Sequence, residues 1–315
     1  MSQPADTFSS YDAVGNREDL SDIVYDVSPT ETPFLTMIPK DKSESTKHEW
    51  QTRALQAASG SNAVIEGDEA TTDAGTANAR IYNYTQISDK VARVTGTQEV
   101  IKKAGASSEM ARQIGDRMKE LKKDVETTLL QNVAYVAGDD STARKSAGLS
   151  CYIKTSIDKA SDGTAAAGTG ADIYTTGTAR ALQESQVEAA LALAWTNGGT
   201  PSIGLLNAFQ KRKFAAFSGS STKMSDGDKR KVTNNVEVYI DPLGTEIRLV
   251  PCRQMPASTI FFVDPEYAKF CPLRNFRTAE LAKTGDSERK QIIVEYTLEV
   301  CNEKAHAAVY DLTTA

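Results

Sequence analysis

The 315-residue sequence lacks an apolar run near the ~18 residues that a bilayer crossing requires; its longest near-candidate is Ala189–Trp195. It has almost no histidine. His48 and His306 are the only two, far apart in the chain and outside any run of Cys and His with zinc-ligand spacing. A lone histidine in a strand-like segment reads as a packing or hydrogen-bonding residue. The four cysteines (Cys151, Cys252, Cys271, Cys301) form no CxxC pair. The opening residues MSQPADTFSSYD lack the positive and apolar regions of a secretory signal, so the thiols read as reduced and partly buried. Excess positive charge is missing too. Lys+Arg number 36 against 42 Asp+Glu, giving a net charge of −6, which disfavours a dedicated nucleic-acid binder.

Chemistry-bearing motifs are equally scarce. Gly168-Thr-Gly170 is followed by no lysine, so it is not a phosphate-cradling loop. There is no HExxH and no GxSxG elbow. Two distant histidines support neither a Ser-His nor a Cys-His nucleophile. Asp226-Gly-Asp228 lacks the graded oxygen ligands of an EF-hand and reads as a solvated loop. Asn83-Tyr-Thr85 matches a glycosylation sequon, which carries no meaning without secretion. No carboxylate pair stands in a context for glycosidase work. The expectation is therefore no catalytic, cofactor-binding or metal-binding residue, and a structural or assembly role.

What is present is ordinary globular usage, 40% hydrophobic and 25% charged. Residues 1–34 hold seven acids and the single base Arg17, a balance of −6 that equals the charge of the whole chain. They read as an extended arm, with a short helix over Asp19–Tyr25. The cluster Pro33–Pro39 (PFLTMIP) needs a surface to bury against. Residues 46–55 alternate, with His48, Trp50, Thr52 and Ala54 on one face. A polar tip over 56–79 and a β-rich run over 80–97 complete the pattern of a long two-stranded ribbon. Such a ribbon is marginal alone and calls for another molecule to pin it.

The clearest element is a helix over 107–137. Ser107 or Ser108 caps it, and Met110, Ile114, Met118, Leu121, Val125, Leu129 and Val133 make one apolar stripe up to Gly138. Residues 138–180 read as loop, ordered only at Leu149–Ile153. An α/β block follows, with helices over Leu182–Trp195 and Ala208–Phe217 and strands over Ile203–Leu206, Val236–Ile240, Glu246–Pro251 and Thr259–Val263. The basic stretch from Lys211-Arg-Lys213 to Lys229-Arg-Lys231 has no interleaved aromatics and reads as a solvated face or subunit contact. Residues 291–301 alternate, with Ile292, Val294, Tyr296, Leu298 and Val300 facing in and Glu295, Thr297 and Glu299 facing out. Ala305–Tyr310 is a final apolar segment.

An ordered set of segments carries a resemblance. It comprises Ser28-Pro-Thr-Glu-Thr-Pro-Phe34, Thr142-Ala-Arg-Lys-Ser-Ala-Gly-Leu149, Gly198-Gly-Thr-Pro-Ser-Ile-Gly-Leu-Leu-Asn207 with Gln210-Lys-Arg212, Asp264-Pro-Glu-Tyr267, Pro272-Leu-Arg274, Leu281-Ala-Lys-Thr-Gly-Asp286, Glu295-Tyr-Thr-Leu-Glu-Val300 and Asn302-Glu-Lys-Ala-His306. The sequence resembles the major capsid proteins of tailed bacteriophages with the Hong Kong 97-type fold, over nearly its whole length. The resemblance implies an α+β fold divided into an N-terminal arm (1–42), an E-loop ribbon (43–100) and a peripheral domain with its spine helix (101–180). An axial domain (181–290) and a C-terminal strand returning to the peripheral domain (291–315) complete it. It implies a non-enzymatic protein that self-assembles into pentamers and hexamers and encloses double-stranded DNA, touching it by weak non-specific contact. Further implied partners are a separate scaffolding protein, since only the short arm precedes the ribbon, and a portal protein, with a decoration protein as an option. No membrane and no cofactor is implied; the product is a virion shell assembled in the host cytoplasm. The alternatives are a cellular encapsulin-like nanocompartment around an enzyme cargo and an unrecognised hydrolase.

Overall fold

A computed structural model describes residues 31–69, 75–102, 107–217 and 237–314. The helix expected over Asp19–Tyr25, the basic residues Lys223, Lys229, Arg230 and Lys231, and the Asp226–Asp228 loop lie outside the described residues.

In chain order the elements are α1 (Pro33–Met37), β1 (Lys47–Thr52), β2 (Ala79–Tyr84), β3 (Gln86–Thr95), α2 (Gly96–Val100), α3 (Glu109–Leu130), β4 (Ile157–Asp158) and α4 (Glu184–Thr196), then β5 (Ile203–Leu206), α5 (Ala208–Phe214), β6 (Val238–Ile240), β7 (Glu246–Pro251), β8 (Ile260–Val263), β9 (Ala268–Glu280), β10 (Ser287–Val300) and β11 (Ala307–Val309). They form a two-stranded ribbon β1-β2, a three-stranded antiparallel sheet β3-β10-β9 and a six-stranded sheet β4-β11-β8-β5-β7-β6. Among the described residues no helix is long and apolar enough to cross a membrane.

The long helix α3 starts where the sequence places it. The Ser108 side chain accepts from the Ala111 N–H at 3.2 Å, satisfying one of the free donors of the first turn. Its apolar stripe packs Leu121, Val125 and Leu129 against Ile292, Val294, Tyr296 and Leu298 of β10. It is shorter than expected, ending at Leu130 rather than at Gly138, so Val133 is not on the helix. Two causes combine. Asn-Val-Ala-Tyr-Val after Gln131 is mostly poor helix former. Neighbouring loops also claim the backbone: Gly148 N–H donates to Val133 O at 3.0 Å and Tyr135 N–H to Gly170 O at 3.0 Å. Gly148 crosses so closely that a Cβ there would stand 1.9 Å from the Gln131 carbonyl oxygen.

The second core joins α4 to the six-stranded sheet, with Val187, Ala190, Leu191 and Ala194 on Ile247, Leu249, Ile260, Phe262 and Val309. Gly198, at φ +87°, ends α4 in a left-handed turn that other residues resist.

The β-rich run 80–97 is two strands, not one. Its first half pairs with β1, its second with β10, the chain passing between them at Thr85. The ribbon proper is thus much shorter than 43–100. Likewise β9 and the start of β10, placed by sequence within 181–290, lie in the three-stranded sheet beside α3; the strand read over 291–301 is the body of β10 and stands in that same sheet, while β11 lies in the six-stranded sheet between β4 and β8. Glu295, Thr297 and Glu299 do not face solvent; all three are buried. Alternation in β10 reports two different interiors: an apolar one under α3 and a polar one under the ribbon root and the loop around Arg144.

Candidate functional site

Three buried carboxylates fasten the extended parts of the chain to its body. Glu126, on α3, is fully buried, and its two oxygens accept from the Phe34 N–H at 2.8 Å and the Leu35 N–H at 2.7 Å. It caps α1, whose first position is Pro33, and draws Phe34 and Leu35 into the main core. The apolar cluster at the end of the arm therefore finds its surface within the same chain. Burial raises the Glu126 carboxyl above its ordinary value, opposed by those two donors.

Glu295 accepts from Thr85 Oγ1 at 3.0 Å, Arg144 at 2.8 Å and Arg274 Nε at 2.6 Å. It thereby joins the crease between β2 and β3, the loop after α3 and β9. Glu299 meets His48 Nε2 at 2.8 Å and Lys269 at 3.7 Å, and Lys269 reaches Asp41 at 3.0 Å. Burial alone would raise the Glu299 carboxyl; the hydrogen bonds from His48 and Cys301 and the Lys269 charge outweigh it and hold it below the ordinary value.

The root of the ribbon is packed as well as charged. Trp50 lies 5.8 Å, ring to ring, from Tyr152 inside the main core. The ribbon read as needing another molecule to pin it is, at its root, pinned within the chain: the inward face of β1 is covered by this chain's own Tyr152. Asn83 is fully buried, its amide donating to Leu298 O at 2.9 Å and accepting from the Ala147 N–H at 2.9 Å, so the sequon there is a latch. Tyr82, Tyr84 and Tyr135 cluster with centroids 5.2–5.9 Å apart.

Beyond that root everything changes. Residues 53–69 and 75–80 are exposed throughout, with Leu55, Val64 and Ile65 exposed by 87%, 83% and 78%. Folding alone leaves these apolar groups in water. Of the basic stretch, Lys211 is half engaged, donating to Leu249 O at 2.8 Å, and Lys213 lies over the Phe209 ring. Gly168 and Gly170 pack on Lys154 and Tyr152.

The model of the SU10 major capsid protein family matches residues 5–313. The chain belongs to that family. The major capsid protein of Escherichia phage Phieco32 is 25% identical, over 96% of each chain. Among solved structures, the Cyanophage A-1(L) capsid asymmetric unit superposes with a TM-score of 0.68 at 14% identity, covering 95% of this chain and 98% of that one. The capsid of a native GTA particle follows at 0.62 and 15%, covering 96% and 98%. The SrpI encapsulin of Synechococcus elongatus shares the fold at 0.58 and 10%, covering 96% and 94%. The fold is the Hong Kong 97-type capsid fold, and the chain is a phage major capsid protein whose place is the virion shell.

Sequence reasoning found the ribbon and its tip but missed Glu126, Glu295 and Glu299 as anchors. The signal available was weak: a lone acid next to the apolar stripe (Glu126 beside Val125) and two acids alternating with apolar residues on β10.

Proposed function

We propose that the chain closes into an icosahedral shell of pentamers and hexamers around double-stranded DNA, each copy laying its ribbon tip on a neighbour. One observation carries this reading: the tip exposes Leu55, Val64 and Ile65 far from any core of its own chain, while the root is fixed by Trp50, Asn83 and Glu299. In domain terms, residues up to about the Ser43 turn act as the N-terminal arm and β1-β2 with the tip as the E-loop. The sheet β3-β10-β9 with α3 acts as the peripheral domain, and the six-stranded sheet with α4 and α5 as the axial domain. The net charge of −6 suits a wall that holds DNA by weak contact, since like charges limit sticking during packaging and release. A separate scaffolding protein and a portal protein complete the assembly, and a decoration protein is an optional partner. The encapsulin-like reading is not favoured; the phage relatives match in sequence as well as in fold.

Removing residues 57–77 tests the central point. The expected result is a subunit with unchanged circular dichroism and melting, but no closed shells in micrographs of assembly reactions, because little buried area is lost within the chain. Shells of normal form and stability would refute the intersubunit role of the tip.

A further inference from the structure

Three strands bring together side chains that the sequence scatters. His48 stands on β1, Cys271 on β9 and Glu299 on β10, and their donor atoms all lie within 4.8 Å of one another. Glu299 Oε2 is 2.8 Å from His48 Nε2 and 3.6 Å from Cys271 Sγ. The Cys301 thiol stands 3.3 Å from the other oxygen, Oε1. We propose that His48, Cys271 and Glu299 bind a zinc(II) ion that clamps the root of the ribbon to the three-stranded sheet, with the fourth position turned toward Cys301 and solvent.

The donor set favours this metal class. Imidazole nitrogen, thiolate sulfur and carboxylate oxygen together suit zinc, whereas calcium and magnesium take oxygen alone. Bonds of about 2.0–2.3 Å in a tetrahedron put ligand atoms roughly 3–4 Å apart. Two of the spacings here already fall near that range, and the third is closed by a shift of under about 1 Å. Two ligands come from paired strands: Cys271 is opposite Thr297, which puts Glu299 on the same face two residues on. The site is thus framed by rigid backbone, and only His48 comes from the ribbon.

Charge balances at the site. Zinc loading displaces the Cys271 proton to solvent and forms the Sγ–zinc bond; thiolate plus carboxylate then match the ion's two positive charges, with His48 neutral. Lys269 does not compete for Oε2. It lies on the Oε1 side and is already paired with Asp41 at 3.0 Å. The side chains of His48 and Glu299 are 17% and 10% exposed, so the site lies at the edge of the core, with Cys271 buried beneath them.

The test uses the full-length chain, stripped with a chelator and titrated with Co²⁺ as a spectroscopic probe, then with Zn²⁺. Expected are one equivalent bound per chain, a thiolate-to-cobalt charge-transfer band that zinc abolishes, and a higher melting temperature with zinc in excess. Cys271→Ser should remove the band, His48→Gln should weaken binding by more than about tenfold, and Cys151→Ser, buried elsewhere, should leave both unchanged. No band in the folded wild type, or a band that survives Cys271→Ser, overturns the proposal. Should that variant fail to fold, X-ray absorption of the zinc-loaded wild type decides: sulfur at about 2.3 Å with imidazole is expected, and oxygen and nitrogen alone would overturn it. The outcome does not depend on whether the ribbon tip contacts a neighbour.

Discussion

His306 is sealed from water, and its two ring nitrogens meet different partners. The Asp264 N–H donates to Nδ1 at 3.3 Å, and Nε2 faces the Tyr267 carbonyl at 3.4 Å. That pairing suits the neutral ring with its proton on Nε2, because a proton on Nδ1 would confront the Asp264 N–H. Burial pushes the imidazole down from 6.5 to about 4. The unfolded chain takes up a proton near 6.5 while the folded chain refuses it until about 4. This contribution is therefore intact above 6.5 and is lost progressively as pH falls toward 4, reaching roughly 3 kcal/mol. His306→Asn keeps an acceptor near the Nδ1 position but does not titrate. Urea unfolding of the unassembled subunit at pH 7 and pH 5 should show a smaller loss in the variant than in the wild type. Equal losses would exclude His306 as a source of acid sensitivity. Glu126 is the opposite case among buried ionisable groups: its value is raised, so its ionisation weighs against the fold as pH rises, and the two N–H donors of α1 offset that cost.

At the scale of elements, the ribbon divides at its root into a part that belongs to the subunit and a part that does not. Trp50→Ala removes the largest side chain of β1 from the main core, beside Tyr152, and should lower subunit stability by about 3–5 kcal/mol. Chemical denaturation of the isolated subunit measures it; a loss under about 1 kcal/mol would mean that the root opens freely and Trp50 is not a core residue. How far such features can be read from sequence follows from their range. The stripe of α3, the strands β5 and β7 and the Ser108 cap depend on local period and local hydrogen bonds, and the sequence displays them. The end of α3 depends on Gly148 and Gly170, which arrive from later loops, so the stripe through Val133 misleads. On β10, polar residues at every second position read as a solvated face. Only the fold reveals that Arg144, Arg274 and His48 cover them. The triad His48, Cys271 and Glu299 escapes sequence spacing for the same reason, since its members meet through a sheet register.

At the scale of the whole molecule, a subunit that keeps apolar side chains in water gains from them only by association. Each of Leu55, Val64 and Ile65, if fully covered, contributes about 1.5–3 kcal/mol to a contact, and none of that stabilises the lone chain, where they are 87%, 83% and 78% exposed. Side-chain ordering and lost freedom offset part of the gain at each contact. A closed shell repeats the contact in every copy, however, so a small change per subunit becomes a large one per particle. Replacing all three by serine keeps the length and backbone of the tip, which separates apolar burial from mere steric reach. The subunit should melt as before, while shells should form poorly or come apart at lower denaturant concentration, as followed by light scattering and micrographs. Subunit destabilisation would place these side chains in an intramolecular core. Shells of undiminished stability would assign the tip's contact to its polar groups instead.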